Sequence, residues 1–319
     1  MSKVLVTGGA GMIGSVLVPR LLSDGYCVHV LDNFMYKQKS LLGVASNVNL
    51  ALDRADVTDS QWMKKFLYNN AFDFIIPLAA IVGAPLCDRD PLRTKATNLE
   101  AIELIGRESD ASIIYPNSNS GYGTSKEVCT EETPINPLSF YAYTKYMAEK
   151  SLMARGNAIT LRLATVFGVS PRMRLDLLVN DFIYRALTDK YLLLFEPNAM
   201  RNYIHVLDLV DCFVMCIEGF SFLQNNVYNV GNDSLNMSKV DLCRAIQESV
   251  LDFKFSESGS NADPDKRDYR VSSEKLIKHS KLIKHFHGIF APYRNISMAV
   301  AEMRKALPML SLKESYGNV

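Results

Sequence analysis

The sequence predicts an α/β fold, a doubly wound parallel sheet carrying a smaller mixed α/β lobe. Strand and helix signals alternate through the first half, and a glycine-rich turn joins the first strand to the first helix. Residues 3–7, 27–31, 48–52, 72–78, 112–115 and 159–163 are short runs rich in Val, Ile and Leu. Runs that are apolar on both faces suit strands covered by helices on both sides. Between them, a helix pattern over 12–23 stops before Gly25, and Asp59 is placed to cap one over 60–68. Pro91 sits where a first helical residue would, opening a helix to about Arg107, and Ser139 precedes one running to about Ala154. Strands alternating with helices imply right-handed βαβ crossovers.

After about Thr165 the rhythm breaks. Helical stretches at 175–188, 207–219, 238–250 and 296–307 alternate with loops bearing Pro and Asn. Ser238 and Asp241 read as a capping box, and 227–230 reads as a late strand returning to the sheet.

The chain has 319 residues, 48% of them hydrophobic and 22% charged, with a net charge of +1. That length buries a substantial core, and so small a charge offers no field to attract nucleic acid or an anionic membrane. The longest apolar stretch, 74–86, is too short to span a bilayer and is interrupted by Pro77, Gly83 and Pro85. The N-terminus runs straight into a strand pattern, and the six cysteines at 27, 87, 129, 212, 216 and 243 form no CxxC pair. Together these suggest a cytoplasmic protein with reduced thiols and no membrane span.

Residues 7–14 read TGGAGMIG between a strand and a helix. Gly8 permits the tight turn, Gly11 lets the backbone approach a pyrophosphate, and Gly14 allows close packing. The helix N-terminus then offers N–H groups to phosphate. The second strand ends at Leu31-Asp32, where a carboxylate accepts hydrogen bonds from both hydroxyls of an adenosine ribose. Asp32 would repel a 2′-phosphate, and Asn33 rather than Arg follows it, so the cofactor is expected to be NAD. Lys37 and Lys39 read as solvated. A Rossmann-type NAD-binding domain is expected over 1–165, with elements near 200–232 returning to it, and a mainly substrate-binding lobe over 166–319.

Tyr141 and Lys145 lie one helical turn apart. A free tyrosine is a poor base at neutral pH, and a nearby ammonium favours its phenolate. The loop 115–123 begins at the end of a parallel strand, the edge where open α/β sheets bind ligands, and Ser118 there could hold a hydroxyl being oxidised.

These motifs, with Asp56-Val57, Leu78-Ala79-Ala80, Asn98 and the RNYIHV string at 201–206, resemble the extended short-chain dehydrogenase/reductases in order and spacing. That family contains nucleotide-sugar epimerases, dehydratases and dehydrogenases. The resemblance covers nearly the whole chain. It implies that Tyr141 is the base, that Lys145 holds the nicotinamide ribose and lowers the tyrosine pKa, and that Ser118 positions the sugar. It implies cofactor contacts from Gly8, Gly11, Met12, Ile13, Gly14, Asp32 and Asn33. Asp56 and Val57 would line the adenine pocket, with Leu78, Ala79, Ala80 and Asn98 also against the cofactor. For the sugar nucleotide it implies Asn119, Ser120, Thr165 and Asn180, with Arg172, Arg174, Arg201 and Arg267 around the diphosphate. Arginine suits that task because its planar fork binds phosphate oxygens in pairs. Thr165 stands where many members carry an Asn.

Local strings at 75–87, 114–123, 162–182, 201–206 and 263–273 resemble the GDP-heptose 4-dehydrogenases of bacterial capsule synthesis. Oxidation at C4 with release of the keto sugar is therefore expected. A 4-epimerase using the same three residues is the alternative, and a catalytically silent NAD sensor a distant third. The partner is a GDP- or UDP-linked sugar. The resemblance also implies a homodimer built on the helices at 91–107 and 139–154. No metal site is expected. Cys212 and Cys216 read as buried thiols, His285 and His287 as part of a solvated Lys-rich stretch, His205 as a structural histidine and Cys87 as a packing residue.

Overall fold

The structure is a computed structural model and describes residues 1–258, 267–283, 290–310 and 316–317. In chain order its strands are β1 (Lys3–Thr7), β2 (Cys27–Asp32), β3 (Leu50–Arg54), β4 (Phe74–Pro77), β5 (Ser112–Ser118), β6 (Thr124–Cys129), β7 (Ala158–Leu163), β8 (Thr165–Phe167), β9 (Tyr191–Leu194), β10 (Met200–His205), β11 (Asn226–Val230), β12 (Asn232–Ser238), β13 (Lys254–Glu257) and β14 (Asp268–Val271). The helices are α1 (Gly14–Ser23), α2 (Ser60–Asn69), α3 (Ala84–Arg89), α4 (Pro91–Lys95), α5 (Ala101–Glu108), α6 (Phe140–Arg155), α7 (Leu178–Thr188), α8 (Val206–Glu218), α9 (Phe220–Leu223), α10 (Lys239–Gln247), α11 (Glu274–Ser280) and α12 (Ile296–Ala306).

Seven strands form one parallel sheet in the order β3-β2-β1-β4-β5-β7-β11. The order reverses between β1 and β4, which opens a crevice at their carboxyl ends. Alternate residues of each strand feed opposite faces. Val4, Val6, Ile76 and Ile159 pack with Leu17, Val18 and Leu21 of α1 and Phe213 of α8. Leu5, Ile75 and Ile113 pack with Met63 and Phe66 of α2, Ile102 and Ile105 of α5, and Leu152 of α6. A separate core gathers Phe167, Ile183, Tyr203, Leu242, Ile246 and Val300, around the small sheet β12-β10-β8.

The helix signals have visible causes. Asp59 accepts the Trp62 N–H at 3.0 Å, Ser139 accepts that of Ala142 at 3.2 Å, and Ser238 and Asp241 form the capping box. Some boundaries differ from expectation. The strand expected at 48–52 starts at Leu50, because the Asn47 side chain takes the Asn49 N–H at 2.9 Å and turns the chain there. β5 continues through Pro116 to Ser118, with Asn117 and Ser118 in register with Arg162 and Leu163 of β7. The helix expected at 91–107 is interrupted by a π turn, Ala96–Glu100. Among the described residues no helix is long and apolar enough to cross a membrane. His285 and His287, and residues 263–266 of the 263–273 string, lie outside the described residues.

Candidate functional site

A cleft of about 1210 Å³ opens over the β1/β4 crevice. Its floor is the glycine turn. Gly8 adopts φ +68°, and a Cβ there would stand 2.6 Å from the Ala79 backbone nitrogen, so only glycine lets the ends of β1 and β4 lie this close. A Cβ on Gly14 would stand 2.4 Å from the Gly9 carbonyl oxygen, which seats α1 directly on the turn. Gly11, Met12, Ile13 and Gly14 line the cleft, bringing the start of the helix to it.

At one end lie Asp32, Asn33, Asp56 and Val57. Asp32 is buried. Its carboxylate accepts the N–H groups of Ala10 and Phe34 at 3.0 and 2.8 Å and the Gln38 amide at 3.2 Å. Burial pushes its pKa up, against the pull of those bonds. Asp56 is held below the ordinary carboxylate range: burial raises it, but hydrogen bonds from Thr58 and the Asn33 amide outweigh that. A buried carboxylate and a glycine-floored helix N-terminus fit a dinucleotide whose ribose and phosphates face them. Lys37 and Lys39 are exposed, as expected.

Leu78, Ala79 and Ala80 line the middle of the cleft, and Ser118, Ser120, Tyr141 and Thr165 its reactive end. Ser118 lies at the end of β5, and its Oγ accepts both the N–H and the hydroxyl of Ser120, at 3.2 and 2.8 Å. Its own proton is then directed elsewhere, and it lies close enough to Tyr141 to lower the phenol. Burial, helped by the nearby Cys87 thiol, pushes the Tyr141 phenol up to about 12, while Arg267 and Ser118 oppose the rise. Lys145 is only 4% exposed, and burial draws it down to about 7. Its Nζ sits 4.2 Å from the centre of the Tyr115 ring, behind the lining of the cleft. The groups that lower the phenol are Arg267 and Ser118, with Lys145 turned onto Tyr115.

Arg172, Arg174 and Arg267 line the far end. Both Arg172 and Arg174 are buried rather than solvated. Arg172 donates to the carbonyls of Met173 and Gly317 and lies over the Tyr36 ring, 5.1 Å from its centre. Arg174 is bound by both Asp176 oxygens at 2.6 Å, so its charge already has a partner.

Besides Lys145, four residues expected to touch ligand lie off the cleft lining. Asn98, in the π turn, accepts the Ile81 N–H and donates to the Ile81 carbonyl, both at 2.8 Å. It pins the 78–82 segment from behind, because both ends of its amide are consumed there. Asn180 accepts the Gly168 N–H at 2.9 Å and donates to the Arg174 carbonyl at 2.9 Å, so it shapes the loop that delivers Arg172 and Arg174. Arg201 is buried in β10, where its guanidinium donates to the carbonyls of Met200 and Arg267; it braces Arg267, which reaches the cleft in its place. Asn119 is 1% exposed, and neither amide atom has a hydrogen-bond partner among the described residues.

His205 accepts the Leu207 N–H at the start of α8 and pairs with Glu302 at 2.9 Å, so the structure gives it a structural place. Cys87 is buried, donates to the Ile81 carbonyl at 3.4 Å, and has its thiol pushed up to about 11 by burial. Cys212 and Cys216 are wholly buried in α8. Of the apolar residues thought to serve a dimer, Leu99, Ile102, Leu104 and Leu152 are buried within the single chain. Tyr143, stacked on Phe140 with centroids 6.2 Å apart, remains 46% exposed.

Sequence reasoning missed Tyr36, Gln38 and Arg93 along the cleft, and a buried ion pair of Glu149 with Arg162 behind Ser118. The signal for the pair was legible: Arg162 interrupts an otherwise uncharged strand, and a charge there requires a buried partner.

A profile of the NAD dependent epimerase/dehydratase family matches residues 4–231. Among curated proteins, the chain is 29% identical over 267 residues to the probable UDP-arabinose 4-epimerase 1 of Oryza sativa subsp. japonica, covering 72% of this chain and 63% of that protein. The chain thus spans less than two thirds of that relative's length. It is 27% identical over 325 residues to the putative UDP-arabinose 4-epimerase 2 of Arabidopsis thaliana, covering 88% of this chain and 77% of that one. Among solved structures, the UDP-glucuronic acid 4-epimerase from Bacillus cereus, in complex with UDP-glucuronic acid and NAD, shares the fold. Its TM-score is 0.82 at 22% identity, over 97% of this chain and 100% of that one. The chain belongs to the NAD-dependent epimerase/dehydratase family, and its cofactor is NAD.

Proposed function

We propose that the protein oxidises the C4 hydroxyl of a nucleotide-diphosphate sugar and then reduces the ketone on its other face, acting as a 4-epimerase. One observation carries the chemistry: Ser118 and Tyr141 line the same cleft that reaches Asp32 and the glycine turn, with Ser118 acting to lower the phenol. In this reading residues 1–165 mainly hold the cofactor and 166–319 the sugar nucleotide. Bound NAD supplies a hydride acceptor, and in the return step a donor. The Tyr141 phenolate takes the C4 hydroxyl proton and later gives it back; Ser118 donates to the same sugar oxygen and holds it in place. Lys145 would hold the nicotinamide ribose, and its charge would favour the Tyr141 phenolate. Arg172 and Arg267 face the diphosphate, with Arg174 held by Asp176 as a supporting charge. Such general base catalysis contributes about 10²–10⁴-fold in rate.

The 4-epimerase outcome is favoured by the relatives, which are named UDP-arabinose 4-epimerases. The second reading, a 4-dehydrogenase that releases the keto sugar from a GDP-linked heptose, is favoured by the strings at 75–87, 114–123 and 162–182. The two part at product release. Incubation with UDP- and GDP-sugars, following reduced nicotinamide by absorbance and product by NMR, separates them. An epimerase gives C4-inverted sugar with no net reduced cofactor. A dehydrogenase gives a 4-keto sugar with reduced cofactor in equal amount. A homodimer joined through α4–α6, with Tyr143 and Leu92 at the contact, is part of the same proposal; sedimentation at micromolar concentration tests it.

A further inference from the structure

We propose that Arg162 and Asn117 are positioning residues: by occupying both oxygens of the Glu149 carboxylate they keep it off Lys145, whose charge is thereby left to the reacting end of the cleft. The proposal rests on the reading of Ser118, Tyr141 and Lys145 as the reacting group.

Tyr141, Lys145 and Glu149 follow one another at four-residue steps along α6, and so share a face. A lysine and a glutamate four residues apart on a helix are within pairing reach. Here Glu149 is only 3% exposed and is taken from the other side. Arg162 Nη2 lies 2.7 Å from its Oε1, and Arg162 Nε lies 3.1 Å from its Oε2. Asn117 Nδ2 donates to the same Oε2 at 2.7 Å. Asn117 and Arg162 are register partners across β5 and β7, so one rung of the sheet aims both side chains at one carboxylate. Arg162 is fixed in turn by the Tyr122 hydroxyl at 2.9 Å and the Glu131 carbonyl at 3.2 Å.

Two further bonds carry this arrangement into the site. Asn117 Oδ1 accepts the Ser118 N–H at 2.8 Å, so the side chain that ends on Glu149 also sets the backbone of Ser118. Tyr115, two residues earlier on the same face of β5, holds the Lys145 carbonyl through its hydroxyl at 3.3 Å and receives the ammonium on its ring. The titratable and charged groups around this lysine are Tyr141 and Glu149 on its own helix and Tyr115 on β5. Arg162 from β7 and Tyr122 stand behind Glu149, while Cys87, Arg267 and Tyr269 stand around Tyr141. From the helix packed beside α6, the buried polar residues Thr94, Thr97 and Asn98 carry no charge. Glu149 is the one carboxylate in that set, and in the pair with Arg162 its charge is cancelled locally. The low value of Lys145 accords with this: burial alone accounts for it.

The experiment reads Lys145 directly. In the full-length protein labelled at lysine side chains with ¹³C, the Lys145 resonance is identified by its loss in Lys145→Met and titrated. In the wild type it should titrate near neutral pH. In Arg162→Met the bared carboxylate should capture the ammonium and raise the midpoint by about one unit or more. In Arg162→Met with Glu149→Met the midpoint should return to the wild-type value, since a buried pair replaced whole by apolar groups is tolerated. Arg162→Gln, which keeps one donor for Glu149, guards against loss of folding and should move the midpoint the same way. A folded Arg162 variant whose Lys145 titrates as in wild type overturns the proposal, as does a double variant that keeps the raised value. Tyr141→Phe tests the underlying reading separately: activity surviving there removes the base from Tyr141 and leaves the titration result standing.

Discussion

Lys145 and Tyr115 hold each other twice: the ammonium lies 4.2 Å from the ring centre, and the Tyr115 hydroxyl donates to the Lys145 carbonyl at 3.3 Å. The lysine is thereby parked in a dry site, and burial brings it down to about 7. A lysine in an unfolded chain titrates at about 10.4. Between those values the unfolded chain carries a proton that the folded one lacks, so stability rises with pH across that window. Urea unfolding of nucleotide-free wild type and Lys145→Met should therefore give a difference that moves in favour of wild type from pH ~7 to ~10, by about 4 kcal/mol at most. A flat difference would show that the lysine is solvated.

Tyr141 is the proposed base, and Phe fills the same space without the hydroxyl. Tyr141→Phe should lose about 10²–10⁴-fold in kcat, with NAD affinity by calorimetry changed by no more than about threefold. A variant that keeps a tenth of its activity would place the base elsewhere.

Asp32 is fixed by Ala10, Phe34 and Gln38 at the end of β2, with Asn33 tied to Asp56 beside it. A 2′-phosphate would meet a buried carboxylate there. NAD should bind far more tightly than NADP, and Asp32→Ala with Asn33→Arg should reverse the order in fluorescence titrations. Equal affinities in the wild type would remove Asp32 from cofactor choice.

Asn119 and Ser120 stand where, by the resemblance to the extended short-chain dehydrogenase/reductases, 4,6-dehydratases carry an Asp-Glu pair. Neither exchanges a proton near neutral pH, and Ser120 is engaged with Ser118 at 2.8 Å. Elimination across C5–C6 needs such groups, whereas oxidation at C4 needs only Tyr141 and its supports. The product should keep its C6 oxygen, and mass spectrometry showing loss of one water would contradict this.

Much of this was legible in the residues. The glycine turn and the caps at Asp59 and Ser139 follow from local chemistry and spacing, which a single strand or helix enforces, as does the one-turn spacing of Tyr141 and Lys145 on α6. What spacing alone does not reveal is which end of a polar side chain the tertiary fold consumes. Asn98, Asn180 and Arg201 look like ligand contacts because each sits beside the cleft segments, yet packing turns each amide or guanidinium onto a backbone carbonyl instead. Arg162 in an uncharged strand signals that a buried partner exists, but that the partner is Glu149 was hidden for the same reason. The pairing depends on Asn117 and Arg162 meeting across a strand register that joins residues far apart in the chain. The resemblance makes the helix at 91–107 an intersubunit face, but much of its apolar surface is spent against the same chain's sheet and α6.

The central claim, that hydride leaves C4 as Tyr141 takes the hydroxyl proton, is tested most directly by rapid mixing of the NAD-loaded protein with a nucleotide sugar deuterated at C4. The absorbance of reduced nicotinamide should rise within the first turnover, more slowly for the C4-deuterated sugar than for one deuterated at C6, and should be abolished in Tyr141→Phe. A rise insensitive to deuterium at C4, or one that persists in Tyr141→Phe, would contradict it.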